Sequence, residues 1–507
     1  MSQWTTAPTK GIEVVRNQVQ VEADQLAGVV SEALRSGSRL ALCSASDDTD
    51  RIRLVYLLLG SNPDTRTEVV LSTSAENPAV DSLATFSFSA SRFEREFHDL
   101  FGVLINNHPL PRRLVRHGHW SAGWYPMRKG ASSRALLASS DDGFPFVPVD
   151  GPGIYEIPVG PIHAGLIEPG HFRFYAVGET VVKLKIRLWY LHKGLEKLFE
   201  GIGPSEGLGL AEKISGDTSV GHCLAYTLAV EDALGITVSV EVSVARSLLL
   251  EMERLYNHIA DMGAMANDVG FSIANAHALQ LREKLLRINQ RLTGHRLLRG
   301  AISIGGVKLR ELINPTEIAE IAKSVAELAS ITLDNAMVRE RFGHTAVLLR
   351  HDAEMLAVLG PVARATGIDV DARISHPFSQ VNTRSVMEAG GDVMARFLVR
   401  QREFETSAVM AVEMSEMLKT ARITNPPTVA KPTNSDMTSG IGIVEAWRGA
   451  ITTRVELDSS QRIKRVKVVD PSWFNWPALP LAMRDTIVPD FPLANKSFNL
   501  AYSGNDL

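Results

Sequence analysis

At 507 residues, with 45% apolar and 22% charged side chains and a formal net charge of −4, the chain has the composition of a globular protein of two or more domains. That charge, without any long basic run, argues against a nucleic-acid partner. Its two cysteines, Cys43 and Cys223, exclude a disulfide framework and any iron–sulfur cluster ligated by this chain alone.

The opening MSQWTTAPTK lacks the apolar core of a secretory signal, and no run of about 18 apolar residues follows that would span a membrane. A cytoplasmic chain is expected, one free to dock on a membrane partner. Residues 1–130 mix β-rich runs such as RIRLVYLLLG with helical patterns, and read as an α+β domain. Ser91 and Glu94 have the S-x-x-E form of a capping box ahead of a helix whose face carries Phe93, Phe97 and Leu100/Phe101. Residues 131–150, rich in Gly, Ser, Asp and Pro, read as a linker. From 151 to 507, strand signals give way to long helical patterns, and short strands return after about 439.

In 243–262, Ala245, Leu248, Met252, Leu255, Ile259 and Met262 recur at helical spacing, with Gly263 in the place of a C′ glycine. Glu251, Arg254, His258 and Asp261 share another face, either solvated or a buried ion network. Further helices are expected near 272–299, 316–340 and 387–420. The fold class is therefore α+β, with a small N-terminal α+β domain and a larger, mainly helical domain carrying peripheral strands.

Four places concentrate polar chemistry. His163 and His171 lie in the Gly/Pro-punctuated GPIHAGLIEPGHFRF; His192 and Glu196 are i, i+4. The turn Ser215–Ser219, with Asp217, Thr218 and then His222, holds more polar groups than capping a helix requires. Asp490, Lys496, Tyr502 and Asp506 mark the C-terminal stretch. Each cluster taken alone is ordinary for a surface or a satisfied core. No P-loop, G-x-G-x-x-G, G-x-S-x-G or H-E-x-x-H motif occurs.

Taken in order, the segments resemble a known family. FEREFHDLFGVLINNHPLPRRLVRHGHW (93–120) resembles the small hydrophilic subunit of respiratory complex I. GPIHAGLIEPGHFRF, HCLAYTLAVEDALGI, LLLEMERLYNHIADMG and VDPSWFNWPALPLAMRDTIVPDFPLANKSFNLAYSG resemble the large subunit of group 4 nickel–iron hydrogenases, of the formate hydrogenlyase and hydrogenase-4 type. That subunit is homologous to the quinone-site subunit of complex I, and here both pieces form one chain.

The resemblance implies a peripheral subunit of a membrane-bound oxidoreductase, attached to the cell membrane through its partners. Expected partners are an iron–sulfur small subunit holding a 4Fe–4S cluster and membrane-arm subunits of antiporter-like and quinone-channel-like type. Electron entry from NADH or formate would belong to other subunits. It also locates an absence. The family's four nickel-binding cysteine positions fall here on Ser215, Thr218, Ala501 and Gly504. Hydroxyls are poor substitutes for soft thiolates, so nickel is not expected and no cofactor is expected on this chain.

The complex I branch implies instead a quinone-like acceptor, with His163 and His171 toward its cavity. The headgroup tyrosine of that branch would fall on Gly216. Glu196 matches a glutamate that passes protons in the hydrogenases, and a raised pKa is expected for it. Glu196, His171, Asp217 and His222 are the expected proton-handling set. The alternative is a scaffold joining an iron–sulfur subunit to a membrane arm without chemistry of its own.

Overall fold

The apolar runs near the N-terminus pair into one sheet. In the computed structural model, which describes residues 14–132, 137, 143–165, 167–419, 428–429 and 437–507, strands β1 (Val14–Gln20), β2 (Arg39–Asp47), β3 (Arg51–Ser61) and β4 (Asp64–Ser74) lie in the order β1-β4-β3-β2. β1 is parallel to β4 and the other pairs are antiparallel. β2 and β3 are buried over most of their length, as continuous apolar strands covered on both faces should be. Helix α1 (Leu26–Arg35) packs on this sheet, and α2 (Phe88–Phe101) packs on β2.

The face of α2 is as the spacing required: Phe93, Phe97, Leu100 and Phe101 are buried. Its start differs. The residue before the first turn is Ser87, so Ser91 lies inside the helix, and Glu94 turns back to accept from Ser82 Oγ and Leu83 N–H, both at 2.6 Å.

A three-stranded meander follows, β5 (Tyr155–Val159), β6 (His171–Val177) and β7 (Thr180–Arg187). The helical part comprises α3 (Ser219–Leu234), α4 (Val240–Asp268), α5 (Ser272–Thr293), α6 (Pro315–Asp334) and α7 (Val393–Lys419), with shorter helices between. Three of the expected spans shrink. α5 stops at Thr293 before Gly294 (φ 91°), and α7 starts at Val393. The 316–340 pattern is broken at Asn335, whose side chain caps a new helix, Ala336–Phe342.

Gly263 does not end α4, which continues to Asp268. A Cβ there would lie 2.4 Å from that of Ala278, so the glycine permits the close crossing of α4 and α5.

The C-terminal part forms an antiparallel sheet, β8 (Met437–Ala446), β9 (Gly449–Asp458) and β10 (Ile463–Val469), and then short helices ending in α8 (Tyr502–Asp506). α3 lies directly on β8. Cβ atoms at Gly440 and Gly442 would come within 2.0 and 1.9 Å of the Ala229 and Ala225 carbonyl oxygens.

The two sheets face each other through the buried pairs Arg53–Glu456 (2.7 Å) and Arg454–Glu68, while Lys467 of β10 binds Glu96 of α2 at 2.7 Å and Asp64 of β4 binds His376, outside either sheet, at 2.8 Å. One apolar cluster runs from Leu42 and Phe93 to Phe172, Trp473 and Phe474, across both parts. Among the described residues no helix is long and apolar enough to cross a membrane.

Candidate functional site

The turn Ser215–Ser219 sits at the N-terminus of α3, but its hydroxyls do not cap the helix. Ser215 Oγ and Thr218 Oγ1 both donate to Asp217 Oδ1 at 2.9 Å. Capping comes from Glu253 on α4, whose carboxylate accepts from Val220 N–H (2.7 Å) and Gly221 N–H (3.0 Å). No sequence pattern marks Glu253, because it lies off the 251/254/258/261 face.

Burial pushes Glu253 up to about 8, against the two N–H groups that favour its anion. A glutamate with a raised folded pKa contributes most below its unfolded value of about 4.3, and loses that contribution as pH rises toward its folded one. The urea midpoint of unfolding should therefore fall between about pH 5 and 8, and Glu253→Gln should flatten that slope.

Arg448 closes the turn. Its Nη1 and Nη2 bind the two oxygens of Asp217 at 2.7 Å each, and Nη1 also donates to Thr218 Oγ1 at 3.1 Å. The guanidinium lies 3.9 Å from the centre of the Trp447 ring, whose N–H donates to Thr218 Oγ1. Arg448 Nε reaches the Asn499 carbonyl, two residues before Ala501. Burial alone would raise the Asp217 carboxyl, but Arg448 and the two hydroxyls hold it well below the usual aspartate range.

His222 Nε2 bonds Asp470 Oδ2 at 3.0 Å, with both side chains buried. A Cβ on Gly504 would meet that same oxygen at 2.5 Å and the Ala501 Cβ at 3.1 Å. Arg448 thus ties the Asp217 turn to Asn499, and Asp470, the partner of His222, lies against Gly504.

Nickel does not fit these residues. The donors are two hydroxyls already given to Asp217, a methyl group and a hydrogen, with a guanidinium alongside. No group of three or more His, Cys, Asp or Glu suited to a metal occurs among the described residues. Cys43 and Cys223 are buried in β2 and α3, where burial first raises both thiols.

The other expected site residues are placed differently. His163 Nε2 donates to Gly170 O at 2.7 Å and closes the hairpin. His171 begins β6; its Nδ1 donates to Gly160 O (3.3 Å) and its Nε2 accepts from Arg173 (3.4 Å). Burial and Arg173 lower its pKa despite the Gly160 bond, so the ring is neutral near pH 7. The Phe146 ring lies 5.7 Å from it. Neighbouring strand residues face opposite ways, and it is Phe172 that packs toward Tyr502, Trp476 and Phe491. Among the described residues no contact joins His171 to Asp217 or His222.

His192 and Glu196 do not share a helix face, because the helical turn begins only at Leu195. Nor is the Glu196 carboxyl raised. Burial acts that way, but Arg465 (2.7 Å), Lys467 (3.2 Å) and the Val468 N–H hold it below the ordinary range. Of the C-terminal residues, Asp490 pairs with Arg341, Asp506 accepts from Leu191 N–H, and Tyr502 accepts from the Asn495 amide.

The polar face of α4 is a buried ion network. Arg254 pairs with Glu251, His258 donates to Glu403 at 2.8 Å, Arg400 pairs with Asp261, and Arg364 binds Glu403 and Glu445.

Known proteins match the chain along most of its length. The family model described as respiratory-chain NADH dehydrogenase, 30 Kd subunit, matches residues 19–135, and that described as the 49 Kd subunit matches residues 268–442. Hydrogenase-4 component G of Escherichia coli is 31% identical over 427 residues, 82% of this chain and 73% of that protein. Formate hydrogenlyase subunit 5 of the same organism is 29% identical, over 89% and 81% of the two chains. The C/D subunit of NADH-quinone oxidoreductase from Phocaeicola vulgatus is 29% identical, over 69% and 72%. In fold, a chain of an archaeal membrane-bound sulfane sulfur reductase, a respiratory membrane complex, is similar with a TM-score of 0.62 at 23% identity, over 71% of this chain and all of that one.

Proposed function

The chain belongs to the oxidoreductase family that includes hydrogenase-4 component G and the C/D subunits of NADH-quinone oxidoreductases, and we propose that within it this protein is a nickel-free subunit that shapes the acceptor side of a membrane-bound redox complex. The observation carrying this reading is the Asp217–Arg448 clasp, standing beside the positions where the family's resemblance requires thiolates. Its cytoplasmic, peripheral placement, with residues 1–130 docking the assembly and 131–150 linking them to 151–507, is part of the same proposal.

In this reading a partner iron–sulfur subunit delivers electrons from a 4Fe–4S cluster, and antiporter-like and quinone-channel-like subunits form the membrane arm. The acceptor is quinone-like: it takes up two electrons from the partner and two protons from water. His171, neutral and with both ring nitrogens engaged by Gly160 and Arg173, holds Arg173 and the start of the meander in position rather than bonding the headgroup itself. The His222–Asp470 pair holds a proton at the closed site, and Asp217 fixes Arg448. Glu196 acts as an anchored anion rather than as a proton donor.

The test is quinone reduction by the intact purified complex, driven by a low-potential reductant, with elemental analysis alongside. Turnover without nickel is expected, and slower turnover in His171→Ala, which takes the ring partner from Arg173 and the Gly160 carbonyl. Stoichiometric nickel overturns the reading. Reduced clusters without turnover favour the second reading, a scaffold, which draws support from Arg448 filling the site with its own side chain.

A further inference from the structure

The meander has an inner face and an outer one. Phe172 and Phe174 pack inward on Phe491, so the alternate residues His171, Arg173 and Tyr175 face outward. The register sets their neighbours. Across β6 and β7, Arg173 stands opposite Lys185, Tyr175 opposite Lys183 and His171 opposite Arg187; across β5 and β6, Glu156 stands opposite Tyr175. One end of this face is covered, since Arg187 is buried and donates to the Leu114, Val115 and Arg116 carbonyls. The other end is open, with Lys183 exposed and Arg173 and Lys185 half-buried.

The open end breaks two rules. Like charges directly opposite in a sheet are destabilising, yet Arg173 faces Lys185. A cation shielded from water needs an acceptor, yet the Lys185 ammonium has none among the described residues, with the Tyr175 ring 4.9 Å away. Burial lowers its pKa first, followed by Arg112 and Lys183, with Arg173 adding to them. Glu156 acts the other way, but it is already paired with Arg173 at 3.2 Å. Around Lys185, three cations thus meet one carboxylate.

These cations form a row rather than a cup. Lys183 and Lys185 leave the same face of β7 two residues apart, about 7 Å along the strand, which is also the spacing of alternate side chains on an extended peptide. A lone phosphate would instead want cations converging on one point. We infer that the open outer face of β6 and β7 is the docking surface for an extended acidic segment of a partner subunit, whose alternate carboxylates pair with Lys183 and Lys185 and relieve the repulsion between Lys185 and Arg173. The charge on this face supplies the complement. The inference goes beyond the redox reading and stands equally if the chain is a scaffold.

Zero-length carbodiimide coupling of the intact complex, read by mass spectrometry of its peptides, tests it. Isopeptide bonds from Lys183 or Lys185 to an aspartate or glutamate of another subunit are expected. The inference is overturned if both lysines couple only within this chain, or stay uncoupled while other lysines of the chain react. The purified chain gives a second measurement. Fluorescently labelled octaglutamate should bind it, about 2- to 5-fold more weakly in Lys185→Gln, the weight of one exposed ion pair. Binding should be unchanged in Lys284→Gln, an exposed lysine of α5. Lys185→Gln should also raise the thermal midpoint of the free chain, because it removes a repulsion. A fall would show that the ammonium merely supports Tyr175, and would overturn the inference. So would binding of phosphatidylglycerol vesicles through these lysines without binding of octaglutamate, which would assign the face to a lipid surface.

Discussion

Arg364→Ala is expected to cost about 3–5 kcal/mol of stability, the usual result of stripping one partner from a buried ion cluster. The Arg364 side chain is fully buried, 2.7 Å from Glu403, 2.8 Å from Glu445 and 3.8 Å from Asp371. With Glu251, these acids face Arg254, Arg364 and Arg373, and His258 donates to Glu403. The cluster is thus near balance, and removing the Arg364 guanidinium strips Glu445 of its paired cation and leaves Glu403 with His258 and the more distant Arg254. Burial works against the Glu403 anion, and Arg364 is the largest influence holding that carboxyl well below the ordinary range. Urea unfolding of the purified chain measures the loss; a change below about 1 kcal/mol, the worth of a surface pair, would show that the cluster is not the buried network described.

Gly442→Ala is the second large effect. Its new methyl would stand 1.9 Å from the Ala225 carbonyl oxygen and 2.8 Å from the Ala229 nitrogen, both backbone atoms of α3. No side chain can rotate away, so helix and strand must part. The cost is expected at or above the upper end of the about 1–3 kcal/mol typical of overpacking. The displacement would also carry Gly221 and His222, on the same helix, away from Ala446 and Asp470. A fall in thermal midpoint together with altered near-ultraviolet dichroism from Trp447 would register both consequences. Alanine at Gly209, where a Cβ meets nothing within 4 Å, should leave both unchanged.

What could be read from the sequence were features that repeat or that occur in order. The α2 face shows in Phe93 and Phe97, and the family's segments can be followed along the chain, because periodicity and ordered motifs are local signals. Gly263 misleads because a glycine that ends a helix and one that lets two helices touch look alike until Ala278 is known. Glu94 misleads in the same manner: the box pattern is present, but the helix has begun three residues earlier.

The site depends on pairs that no window spans. Asp217 meets its arginine 231 residues away, and Glu196 meets Arg465 across 269 residues. Burial alone predicts a raised pKa for Glu196; the two cations that reverse it come from β10. Glu253 carries no visible signal, since its role is set by the N-terminus of a helix other than its own.

The buried ion pairs that join the N-terminal part to the rest of the chain, Arg53 with Glu456, Lys467 with Glu96 and His376 with Asp64, bear on how such a protein can be encoded. With charged anchors and an apolar cluster shared across the two parts, the covalent connection, which we propose runs through 131–150, adds local concentration rather than specificity. One reading frame or two adjacent ones would then yield the same assembled object. Gene fusion and gene fission become interchangeable for this architecture, and a chain cut in that stretch should still purify as a single particle.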